Sequence, residues 1–377
     1  MDPEGVGSTS SGDLTKALWE AGMNSGATIR AVAALVALTL LLGGCGDSVD
    51  PALSATVRAD SPVGRALSQA RNVLAAAVAG TGAATLASFP GLPPAPAGAL
   101  PRGRYDWDAT AAAWTRTSDS QDLALTWPSG GTHGHMATLT IDWAAGGSTL
   151  QVGGAQGAKR SVPSDASASL AVDGQERGAV RVELGWHATP CGIVAQPDQV
   201  RAGGGLAAAG TALRLREATL AVTGSDSAVT ITTTGALATA SGGARASLSW
   251  TVTLHGSVFR DPATCLPTGL TVGGGLVKLT LASAGHDVEL STAFSNVARN
   301  NAGQLQSASL SGGHVSIDGA QAFSFHGTLD DANHDGVPGE HVTLVTEGGG
   351  HMAGDRFLAR NARGLLEAVG ALATLGR

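Results

Sequence analysis

Leu248-Ser249-Trp250-Thr251-Val252-Thr253-Leu254 is the stretch that decides the fold. Every second residue is large and apolar, and each residue between them carries a hydroxyl. Side chains of an extended strand point alternately to opposite faces, so this run has one apolar face and one wet face. A helix would turn Trp250 and Val252 to opposite sides and leave no continuous stripe.

The same alternation spreads outward in both directions. Ala137, Leu139, Ile141 and Trp143 alternate with Thr138, Thr140 and Asp142, and Val180, Val182, Leu184 and Trp186 with Arg181, Glu183 and Gly185. Shorter runs occur at 123–127, 228–234, 276–281, 288–294, 315–317, 322–325 and 342–345, and Trp107 and Trp114 flank a turn. Gly130-Gly131, Asp173-Gly174 and Asp318-Gly319 are hairpin signals. The expectation is a mainly β protein whose large antiparallel sheet, barrel-like or sandwich, spans 103–350. No period of 20–50 residues stands out. The phrases Ser169–Gly174 and His314–Gly319 look alike, as two hairpin strands often do. Gly203–Gly205 and Gly273–Gly275 read as glycine runs between strands, with no nucleotide-binding helix after them.

Two amphipathic helices frame this domain. Ser61-Pro62 supplies an N-cap and a first-turn proline, and apolar residues at spacings of three and four follow, predicting a helix over 61–80. Residues 81–102 form a Pro/Ala-rich linker or wrapping arm. Phe357, Leu358, Leu365, Leu366, Val369 and Leu372 predict a C-terminal helix over 353–377. Charged residues make up only 14% of the chain and its net charge is −7, so a basic footprint for nucleic acid is missing.

Ala31 to Leu42 is an uncharged apolar run, too short to span a bilayer as a helix, and small residues and a cysteine follow it. Leu42-Gly43-Gly44-Cys45 resembles the lipobox of bacterial lipoproteins. The resemblance implies that the signal is cut before Cys45, that the Cys45 thiol is diacylated, and that the new amino group is acylated too. It implies a protein exported and lipid-anchored to the cell membrane or outer membrane, facing the periplasm or the exterior. A plain signal peptide with an incidental cysteine is the alternative. Residues 1–22 are acidic, unlike a signal's positive start, which points to Met23 as the true start and to 23–44 as the signal peptide. A long leader is the other reading. Residues 45–60 would be a tether.

Export places Cys191 and Cys265 in an oxidising compartment, where they pair as a disulfide or remain as two buried thiols. Asp331, Asn333 and Asp335 occupy positions 1, 3 and 5 of a loop with Gly336 at 6 and the Val337 carbonyl at 7, the pattern by which loops present oxygens to calcium. Glu340 stands at position 10 where an EF-hand has its glutamate at 12, so the segment reads as a structural calcium loop or as a metal-free hairpin turn. His133-Gly134-His135 puts two imidazoles on one strand face, a geometry zinc and copper accept, but with no third ligand apparent it reads first as a solvated hairpin tip. Nucleophile-elbow, zincin and P-loop patterns are missing, so no catalytic residue is expected.

The expected function is therefore a structural or interaction role in the cell envelope, with an envelope protein as partner. The alternative is a carrier for an apolar ligand or lipid in a curved sheet. A continuous apolar cavity above about 300 Å³ would favour the carrier.

Overall fold

The computed structural model describes residues 60–78, 85, 88–93, 102–129, 134–143, 148–152, 158–162, 164–188, 195–208, 211–262, 267–299, 305–330, 332, 339–346 and 349–354. The first described element is a helix, α1 (Pro62–Val78), capped by Ser61, whose Oγ accepts from the Gly64 amide at 3.0 Å.

The sheet opens with β1 (Gly103–Asp108), β2 (Ala113–Ser118), β3 (Leu123–Ser129) and β4 (His135–Trp143). A separate two-stranded ribbon, β5 (Ser148–Val152) with β6 (Ala158–Val162), is inserted next. Then follow β7 (Asp165–Val172), β8 (Gln175–Ala188), β9 (Ala195–Ala208), β10 (Thr211–Ser225), β11 (Ala228–Ser241) and β12 (Ala244–Arg260). β13 (Pro267–Ser283), β14 (His286–Arg299), β15 (Leu305–Ile317), β16 (Ala320–Asp330), β17 (His341–Thr346) and β18 (His351–Ala353) complete the chain of hairpins.

Sixteen of these strands form one sheet in the order β18-β17-β16-β15-β14-β13-β12-β11-β10-β9-β8-β7-β4-β3-β1-β2. All neighbours are antiparallel except β1 and β3. This corrects the barrel-or-sandwich expectation: the strands make a single open sheet whose edges are β2 and β18. From β7 onward each strand turns straight back beside its predecessor, as in an up-and-down barrel, but β18 and β2 do not pair. Other segments, α1 and the stretch at Phe89, cover the apolar face that closure would otherwise bury. The expected C-terminal helix also gains no support, since Ala353 belongs to β18 and 355–377 lie outside the described residues.

One layer of sheet needs cover on its apolar face. α1 supplies it over β10 to β14, where Ala66 and Ala70 join a core containing Val252, Val277, Leu279, Val315 and Phe323. A second cluster holds Leu123, Leu125 and Trp127, each fully buried, under Phe89. Phe89 packs at a tilt against Trp127 with ring centroids 5.1 Å apart; Trp127 Nε1 donates to Ser88 Oγ, and Trp114 Nε1 donates to the Gly91 carbonyl. The start of the proline-rich segment thus wraps over β1 to β3.

The two glycine runs correct a second expectation, because both lie inside strands, β9 and β13. Glycine is used there for close approach. The Phe294 ring lies across Gly275, its cross-strand partner, where an added Cβ would sit 2.9 Å from the ring. Trp250 covers Gly235 in the same way, at 2.2 Å.

Candidate functional site

Four strands of the sheet are built twice. Leu125 faces Leu139, Trp127 faces Ala137 and Ser129 faces His135, as Leu279 faces Leu290, Leu281 faces Val288 and Ser283 faces His286. The next pairs also match: Leu139 with Leu170 and Ala137 with Val172 correspond to Leu290 with Val315 and Val288 with Ile317. In both following hairpins the register slips at the same place, between Leu170 and Ala171 and between Val315 and Ser316. The likeness of Ser169–Gly174 to His314–Gly319 therefore marks equivalent positions. A periodicity search misses the repeat because β3 and β4 are joined by a longer loop than β13 and β14, and because β5 and β6 are inserted in the first copy only.

Each copy ends in the same clip. Asp173 and Asp318 open their hairpin turns with φ of 49° and 51°, followed by Gly174 and Gly319 at 75° and 83°. Left-handed backbone at both central residues is the type I′ pattern that Asp-Gly favours. That twist aims the carboxylate at the neighbouring strand. Asp173 Oδ1 accepts from the Met136 amide at 3.0 Å and Oδ2 from His135 Nδ1 at 2.5 Å. Asp318 Oδ1 accepts from the Asp287 amide and Oδ2 from His286 Nδ1, both at 2.9 Å. The turn amides of Asp173 and Asp318 answer by donating to the Met136 and Asp287 carbonyls at 2.8 Å.

The backbone amide first, and the imidazole second, hold both carboxyls below their ordinary value of 3.8. An Asp accepting from His Nδ1 is also the orienting half of a hydrolytic triad. Here the pair serves two turns alike, and in the first copy both side chains are half exposed (51% and 50%), which suits a strand clip. His135, read as a solvated hairpin-tip residue before a metal ligand, is thus occupied by Asp173, and His133 lies outside the described residues. Among the described residues no group of three or more His, Cys, Asp or Glu converges on a metal position.

The other expected site residues fall at the opposite end of the sheet or outside what is described. Cys45, Cys191 and Cys265 lie outside the described residues, as do Asp331, Asn333, Asp335 and Val337. What is described of the acidic loop is its base. The Asp330 carbonyl accepts from the Gly339 amide at 2.6 Å, and Asp330 Oδ2 accepts from His341 Nδ1 at 2.8 Å. That bond raises His341 above its ordinary value of 6.5. Asp330 Oδ1 is buried with no hydrogen-bond partner, and Glu340, next to His341 in the chain, is half-buried. These two carboxylates are the described groups that could face a cation; sequence reading found Glu340 and missed Asp330. At the same end Arg260 grips Asp226 through Nε and Nη2 at 2.8 and 3.0 Å, tying the turn after β10 to β12.

A groove of about 440 Å³ runs between α1 and the turns that follow β11 and β13. Its walls include Arg65, Ser68, Gln69, Asn72 and Ser241, with Val73 and Ala284 below. It is open to solvent, and polar and apolar groups both line it. No protein-family model, curated protein or solved structure matches the chain.

Proposed function

We propose that the chain is a lipid-anchored protein of the bacterial cell envelope whose large sheet serves a structural or interaction role, without catalysis of its own. The observation that carries the reading is Leu42-Gly43-Gly44-Cys45 after an uncharged apolar run. Acylation at Cys45 would tether the body through 45–60, and α1 is the first described element after that tether. The rival reading is a carrier for an apolar ligand or lipid.

Mass spectrometry of the native protein extracted from membranes tests both parts together. A mature chain beginning at a triacylated or diacylated Cys45, with no stoichiometric lipid beyond the anchor, is the expected result. An unacylated amino terminus refutes the anchor, and a second lipid retained after gentle extraction favours the carrier. In cells, Cys45→Ser should leave an uncut, larger species; unchanged size in the membrane fraction refutes lipidation. Bound calcium bracing the 331–340 loop is a further part of the proposal, resting on the acidic spacing and on the unpartnered Asp330 Oδ1.

A further inference from the structure

We propose that His286 is an acid-released latch holding the first turn of α1 to the hairpin turn between β15 and β16. His286 Nδ1 lies 2.9 Å from Asp318 Oδ2, and His286 Nε2 lies 3.2 Å from Arg65 Nη2. A guanidinium has no acceptor, so Arg65 must donate and Nε2 must accept. The ring proton then sits on Nδ1, where the carboxylate needs a donor. Both contacts demand the same tautomer of a neutral imidazole.

Protonation breaks this agreement at one end only. A proton added at Nε2 points at a group that is already donating, and a second positive charge faces the first. The bond to Asp318 survives, since Nδ1–H still donates to it. Arg65 is therefore the side chain released, and α1 loses the tie at its first turn. It keeps the bond from Gln69 Nε2 to the Arg245 carbonyl at 2.8 Å and the buried contacts of Ala66, Ala70 and Val73. The helix loosens from its start, beside the groove that Arg65 borders and at Asp60, where the chain arrives.

Among the described residues the charged groups around His286 are few. Asp318 faces it from the turn after β15, Arg65 from α1, and Asp287 follows it on its own strand. Asp60 lies behind Arg65 and takes a bond from it through its carbonyl, while Arg245 of β12 is met through its carbonyl by Gln69. Lys278 and Glu289, farther along β13 and β14, neutralise each other at 3.0 Å. The first copy supplies a built-in contrast: His135 and Asp173 make the same clip, at positions that α1 does not reach. The latch does not depend on lipid attachment.

Hydrogen exchange of the full mature chain, corrected for intrinsic rate and followed from about pH 8 to about pH 5, the range in which imidazoles titrate, tests the latch. Protection of the first turns of α1 should fall about three- to tenfold toward acid, while β12 to β14 stay protected, as expected for loss of one partly exposed contact. His286→Gln, which can still donate to Asp318 and accept from Arg65, should remove the pH dependence, and Arg65→Met should leave α1 loose at both ends of the range. His135→Gln should change nothing at α1. A pH dependence that persists in His286→Gln, or that is missing from the native chain while its strands stay protected, overturns the proposal.

Discussion

Single side chains at the hairpin turns decide how this sheet answers acid. The Asp173 and Asp318 carboxyls are held below 3.8 in the folded chain, so each stabilises the fold above that value and loses its contribution as pH falls through the lowered one. His341 runs the other way: raised above 6.5 by Asp330, it contributes below that value and fades as pH rises through the raised one. Melting temperature should therefore drop on acidification below about pH 4, and the double variant Asp173→Asn/Asp318→Asn should flatten that limb, as seen by circular dichroism across a pH series. Trp127 sets the scale for packing. It is fully buried, touches Phe89 and donates to Ser88, so Trp127→Ala should cost about 3–5 kcal/mol in denaturant titration. Trp127 was legible from its alternating run. The clips were not, because each joins residues 38 or 32 positions apart whose meeting depends on strand register.

Among elements, the hairpin loops sort by the end of the sheet they occupy. Both clips and the start of α1 share one end. The loops carrying Cys191 and Cys265, and the acidic loop after β16, leave from the other. The nearest strand ends flanking the two cysteines, on β9 and β12, lie three strand spacings apart, or about 14 Å, whereas a disulfide needs Cα atoms within about 7 Å. A bridge would have to lean over the turn between β10 and β11 and clamp it. The proposal of a disulfide predicts no alkylatable thiol in the denatured, unreduced protein, and two modified cysteines would dismiss it. For the acidic loop, calcium should raise the melting temperature above that in chelator, and Asp330→Asn should shrink the difference; equal values with and without the ion leave a plain turn. Spacing in the sequence located that loop, but the carboxylate of Asp330 at its base emerged only with the strand ends in place.

At the scale of the whole molecule, two apolar clusters share one sheet, joined by a thinly buried middle. Among the described residues no apolar side chain between Val172 and Val229 is fully buried. Few buried contacts mean low local stability, so β8 to β10 should exchange their amides sooner than β3, β4 and β13 to β16. Unfolding should show two transitions, with Leu125→Ala shifting one and Leu279→Ala the other; a single transition moved equally by both would refute the division. The sequence by itself determined the strand content, the face of each strand that is apolar, and the Asp-Gly turns, because these follow from alternation and local backbone preference, which act over a few residues. Only the tertiary structure decided that the strands stay in one open layer, that four of them recur in the same register, and that Arg65 meets His286. Those outcomes depend on which strand lies beside which, a choice made by summed packing across distant segments that local pattern does not encode.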